Sequence, residues 1–105
     1  MKINTNIHIS DNIGYRFKHL NKLFVAQNES VILIIDYPLH DPFIKKLNGG
    51  KLGLTAADLV DEIIKSYQKI YQNLGKYGVW GHDMEDLVIE GINRTGNKIY
   101  LSIGS

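Results

Sequence analysis

The sequence predicts an α+β domain: an antiparallel or mixed sheet of three to five strands, with one long helix (about 55–74) packed across it in two layers. Three observations predict it. Apolar and polar residues alternate in 2–9 and again in 98–103. Val31-Ile32-Leu33-Ile34-Ile35 is a continuous, mostly β-branched run. Residues 55–74 repeat apolar side chains at helical spacing. With 105 residues, the chain is expected to form one small domain, 1–105.

Residues 2–9 set Ile3, Thr5, Ile7 and Ile9 against Lys2, Asn4, Asn6 and His8, the period of a half-buried strand. Ser10-Asp11-Asn12 breaks it. In 15–27, Phe17, Leu20, Leu23 and Phe24 recur at helical spacing, so a short helix is expected, with a strand over Leu23–Ala26 as the alternative. The run 31–35 needs cover on both faces, which places it centrally in its sheet. Pro38 ends it, having no N–H for a ladder. Pro38, Pro42, Gly49, Gly50 and Gly53 mark 38–53 as one long loop, a kind of loop that is often functional.

Thr55 is placed to N-cap the long helix, with Asp58 as capping-box acid and Leu54 and Leu59 as the hydrophobic staple. Leu59, Val60, Ile63, Ile64, Tyr67, Ile70, Tyr71 and Leu74 give its apolar face, and Gly75 its stop. Asp61 and Lys65 have the spacing of a surface pair. Residues 75–86 read as irregular. Leu87–Ile92 and Lys98–Ile103 read as a hairpin closed by the loop 93–97, where Gly96 suits a left-handed position.

Composition excludes several functions. The chain has no cysteine, hence no disulfide framework, thiolate zinc site or cysteine nucleophile. A net charge of +1 is too even for a polybasic nucleic-acid partner. No stretch has the ~18 apolar residues of a membrane span. Residues 1–6 lack the pattern of a secretory signal, so an intracellular protein without membrane contact is expected.

Several clusters carry candidate chemistry. His82, Asp83 and Asp86 offer mixed nitrogen and oxygen donors for a metal; the plainer reading is an acidic turn with Trp80 packed on the helix. His-Asp pairs occur at 40–41 and 82–83, but the chain is too short and too β-rich for the helical phosphohydrolases with that signature. Gly75-Lys76-Tyr77-Gly78 resembles the GxxG loop of KH domains, which clamps a nucleic-acid backbone; the plainer reading is a helix stop. Lys45, Lys46 and Lys51 cluster near Phe43 and could join Lys76 and Tyr77 on a phosphate backbone. Tyr67 and Tyr71 lie one helical turn apart, either as a core edge with hydroxyls in water or as an interface stripe with Trp80. No Walker A motif and no Gly-x-Ser-x-Gly elbow is present.

The run from Lys76 to Ile92, with Tyr77-Gly78-Val79-Trp80-Gly81-His82-Asp83 at its head, resembles small uncharacterised proteins of large DNA viruses of amoebae. So do the opening of the helix at Leu54-Thr55-Ala56-Ala57-Asp58-Leu59 and the ending Ile99 to Ser105. The likeness covers about residues 52–105 and implies a viral origin, with host cytoplasm or virion as the setting. It implies no activity.

The expected function is a non-enzymatic binding or structural module without a cofactor, since no cluster has the geometry that catalysis requires. One helix covers one sheet face, so the second cover must come from residues 15–27, from the long loop or from another subunit; this shortage is the main argument for an expected homodimer, with a protein partner as a further option. The alternatives are nucleic-acid binding through Lys45, Lys46, Lys51, Lys76 and Tyr77, and a small metal-dependent hydrolase using His82, Asp83 and Asp86.

Overall fold

In the computed structural model, which describes residues 1–10 and 18–105, the elements follow in the order β1 (Lys2–His8), β2 (Leu23–Val25), β3 (Ser30–Ile35), β4 (Phe43–Asn48), β5 (Leu54–Thr55), α1 (Ala56–Tyr71), α2 (Leu74–Tyr77), β6 (Val88–Thr95) and β7 (Lys98–Gly104). Five strands form one mixed sheet in the order β1-β6-β7-β3-β4, and β2 and β5 form a separate ribbon. Helix α1 lies across the strands, so the expected α+β fold is the fold observed.

The alternating ends of the chain become strands for the reason the sequence shows. Thr5 and Ile7 of β1 face the core, and the Thr5 hydroxyl donates to the Ile89 carbonyl. Strands β6 and β7 pair from Val88↔Gly104 to Thr95↔Lys98. Asn93, Arg94 and Thr95, expected in a loop, therefore stay in the ladder, and the turn is only Gly96-Asn97. Gly96 takes φ 61°, as a two-residue hairpin allows at its first position.

Strand β3 runs parallel to β7 and antiparallel to β4, so it has a neighbour on each edge. Val31, Leu33 and Ile35 are buried, while Ile32 and Ile34 on the other face are only half-buried. The expected cover on both faces is thus present on one.

Residues 15–27 and 38–53 also depart from expectation. Residues 38–53 are not one loop, because 43–48 form β4, paired to β3 from Ser30↔Asn48 to Ile35↔Phe43. Of the helix expected over 15–27, residues 15–17 lie outside the described residues. Lys18–Asn21 form a 3-10 turn, and Leu23–Val25 pair with β5 instead.

Helix α1 opens as expected. The Asp58 amide donates to Thr55 Oγ1 at 3.2 Å, and the Thr55 amide donates to Asp58 Oδ2 at 2.9 Å. It ends at Tyr71, short of Leu74. The chain then winds one more turn, α2, which Gly78 rather than Gly75 terminates at φ 64°.

The β2–β5 ribbon is fastened to the sheet by Arg94. Its guanidinium donates to the Phe24 carbonyl at 2.6 Å and meets Glu29 Oε2 at 2.7 Å. The Ala26 amide donates to Glu29 Oε1 at 3.0 Å. These donors hold the Glu29 carboxyl at about 2, Arg94 first and the Ala26 amide second. Stability from this lowered carboxyl is complete above the ordinary carboxylate range and is lost as pH falls through about 2. Urea unfolding should find Glu29→Gln less stable than the parent at neutral pH, with the gap closing as pH falls from about 4.5 towards 2.

Backbones approach closely where β4 leaves the sheet. A Cβ on Gly49 would lie 1.9 Å from the Ala26 carbonyl oxygen, whereas one on Gly50 would meet nothing within 4 Å. Gly50 carries only a positive φ of 61°. Gly49→Ala should cost about 3 kcal/mol in urea unfolding and Gly50→Ala about 1 kcal/mol. Equal costs would mean that the Gly49–Ala26 contact relaxes freely.

Candidate functional site

A concavity lined by four lysines lies between β4 and α1. It has a volume of about 580 Å³ and is lined by Pro42, Phe43, Ile44 and Lys45 from β4 and its approach, by Lys65, Ser66 and Lys69 from α1, and by Lys76 and Tyr77 from α2. Lys65 and Lys69 are four residues apart, hence on one face of the helix. The Ser66 hydroxyl is occupied, donating to the Glu62 carbonyl at 2.7 Å. Lys45 Nζ meets Glu62 Oε2 at 2.8 Å, so this pair spans from strand to helix. Lys65, Lys69 and Lys76 make no ion pair with any described residue. Lys65 therefore does not form the expected contact pair with Asp61.

Helix α2 is set in place by the segment before β4. The His40 and Asp41 amides both donate to the Tyr77 carbonyl at 3.1 Å, and the Trp80 amide donates to the Pro38 carbonyl at 3.1 Å. Gly78 is needed where it packs on His40, since a Cβ there would lie 2.8 Å from His40 Cβ. The Tyr77 ring is thereby held 5.6 Å from the Phe43 ring, with Lys76 Nζ 5.4 Å from the Tyr77 centroid.

Of the five residues expected on a nucleic-acid backbone, Lys45, Lys76 and Tyr77 meet in this groove. Lys46 does not, because it points to the other sheet face beside Ile32, and Lys51 lies in the turn after β4. Gly75-Lys76-Tyr77-Gly78 is wound into α2 and its cap, and an extended segment rather than a second helix follows it. Lys65 and Lys69 were not among the expected residues. Their i, i+4 spacing on α1 was the available signal, but exposed helix lysines ordinarily face only water.

A second cluster surrounds His82. Its Nε2 lies 3.0 Å from the Tyr37 hydroxyl, and its ring packs 5.3 Å from both Tyr37 and Trp80. Trp80 does not bury against the helix; it is 44% exposed and stands edge-on to Tyr37. His40 approaches the same indole at 6.4 Å. Among the described residues, no three His, Asp or Glu side chains converge on a point where a metal could sit. The expected ligands His82, Asp83 and Asp86 are not drawn into such a group, and His82 is engaged with Tyr37.

Tyr67 and Tyr71 use their hydroxyls internally rather than in water. Tyr67 donates to the Tyr37 carbonyl at 2.6 Å, and Tyr71 donates to the His82 carbonyl at 2.9 Å. Burial pushes both phenols above their ordinary range, and the charges of Asp83 and Glu85 add to the effect at Tyr71. Both stay protonated and able to donate. They tie α1 to the Tyr37 and His82 segments.

Comparison with family models, curated proteins and solved structures finds no match to this chain. Among the described residues, no helix is long and apolar enough to cross a membrane.

Proposed function

We propose that the chain is a non-enzymatic binding module that takes an anionic partner in the groove between β4 and α1. The observation that carries this reading is the ring of Lys45, Lys65, Lys69 and Lys76 around one concavity, with only Lys45 neutralised by a described acid. Lysines arranged around a cleft raise the local concentration of anions and steer their approach. If the likeness of residues 52–105 to amoebal virus proteins reflects common origin, the partner belongs to an infected cell.

The test uses two labelled probes of similar length, a glutamate-rich peptide and a single-stranded oligonucleotide, followed by fluorescence anisotropy. At least one should bind, more weakly as salt rises. The double variant Lys65→Glu/Lys69→Glu should weaken that binding by about tenfold or more, while Lys51→Glu, outside the groove, leaves it unchanged. Absence of binding by both probes at low salt would end the proposal. Binding of the oligonucleotide alone would favour the nucleic-acid reading, in which Tyr77 offers a ring for stacking.

Self-association is a second reading, favoured by the sheet face that α1 leaves uncovered. Ile44, 64% exposed, sits opposite half-buried Ile34, and Tyr100 is exposed on the same side of the neighbouring strand β7. A contiguous apolar row of this kind suits a homodimer. Light scattering should then give twice the chain mass, and Ile44→Lys should return it to one chain. A parent protein that is monomeric at high concentration removes this reading and leaves the groove untouched.

A further inference from the structure

We infer that the groove takes an extended acidic peptide, which adds to β4 as a sixth strand of the five-stranded sheet. This deepens the proposal above and rests on the groove being the binding site. Pro42, Phe43, Ile44 and Lys45 are consecutive, yet all four line the groove. Successive side chains of a strand point to opposite faces, so a concavity bordered by all of them borders the strand's edge. Strand β4 is the last in the sheet and pairs with β3 through six residues without a register shift. Its free edge is therefore a regular row of N–H and C=O groups. A peptide strand offers partners for both kinds of group, whereas a phosphate backbone offers only acceptors.

The charge around the edge selects the side chains. Alternate residues of an added strand would face α1, where Lys65 and Lys69 stand, with Lys76 closing one end. The residues between them would fall on the opposite face, next to Ile44. The matching ligand alternates acidic with apolar residues. A second copy of β4 fits the same edge poorly, since Lys45, Lys46 and the α1 lysines would meet their own kind.

The experiment uses the full chain and a labelled eight-residue peptide of alternating Glu and Val. Two further peptides carry N-methyl groups, one on the Glu amides and one on the Val amides. The parent peptide should bind, and its binding should fall by about tenfold or more in Lys65→Glu/Lys69→Glu, with the fold checked by circular dichroism. Only one set of amides would point at β4, so one methylated peptide should bind about tenfold more weakly and the other nearly as the parent. The β4 amides should also exchange more slowly with deuterium in the complex. If both methylated peptides bind as the parent does, strand addition is wrong and the groove remains a charge site. If the oligonucleotide binds and the peptide does not, the acidic-peptide partner is wrong and the groove reading stands. If neither binds, both fall.

Discussion

One helix has to cover five strands. Helix α1, with 16 residues, is ~24 Å long and ~10 Å across, while five strands spaced by ~4.8 Å set the outer two ~19 Å apart. Lying across the strands, a single cylinder spans that width but covers only a band ~10 Å wide along their length. The β2–β5 ribbon supplies more cover through Phe24 and Val25, both buried, and Arg94 fastens it to β6. Beside β4 the gap is bridged by the long polar chains of Lys45 and Glu62 instead of by apolar side chains. A groove remains there because polar chains span a gap without filling it.

The charge on α1 is distributed along its length in a way that suits this groove. Asp58, Asp61 and Glu62 occupy the first half of the helix, and Lys65 and Lys69 the second. Acids near a helix N-terminus and bases near its C-terminus both oppose the helix dipole favourably, so the arrangement first stabilises the helix. It also leaves the second half as the basic wall. Glu62, three residues before Lys65, is neutralised by Lys45 across the gap, so the contact that holds strand to helix also removes a charge that would repel an anion.

The sequence pattern exposed α1 fully at its start and less well at its end. The reciprocal hydrogen bonds of Thr55 and Asp58 are local and depend on residue types three apart, which is why they could be read directly. Past Tyr71 the chain winds the further turn α2, whose end depends on Gly78 packing against His40, a contact between distant segments that no local pattern records. Strand β4 was hidden for a similar reason. Phe43-Ile44-Lys45-Lys46-Leu47-Asn48 puts an isoleucine on the uncovered face and a lysine on the covered one, so its alternation is broken. Only the ladder with β3 makes it a strand. The candidate site was legible through Lys45, Lys76 and Tyr77 and illegible through Lys65 and Lys69, because bringing them together required knowing that 43–48 lies along α1. The aromatic run around Trp80 drew attention by its composition, and its geometry shows a brace: hydroxyls of Tyr37, Tyr67 and Tyr71 tie it to the helix and to the chain before β4.

The two edges of the sheet are treated differently, and the difference bears on what β4 is for. At the β1 edge the ladder is interrupted between Asn4 and Ile7, and Asn6 takes a left-handed φ of 53°. Such an interruption spoils the edge for any partner, whatever its charge. At the β4 edge the ladder is unbroken, and lysines flank it. Lysine deters like-charged strands, including another copy of the same chain, but it attracts acidic ones. A break in the backbone blocks every partner, whereas a charged edge discriminates by sign. The edge that keeps its regular backbone is also the one bordered by a concavity and by three lysines without acidic partners among the described residues. Self-pairing is thus opposed at both edges by different means, and only the means used at β4 leaves the edge open to a partner of opposite charge.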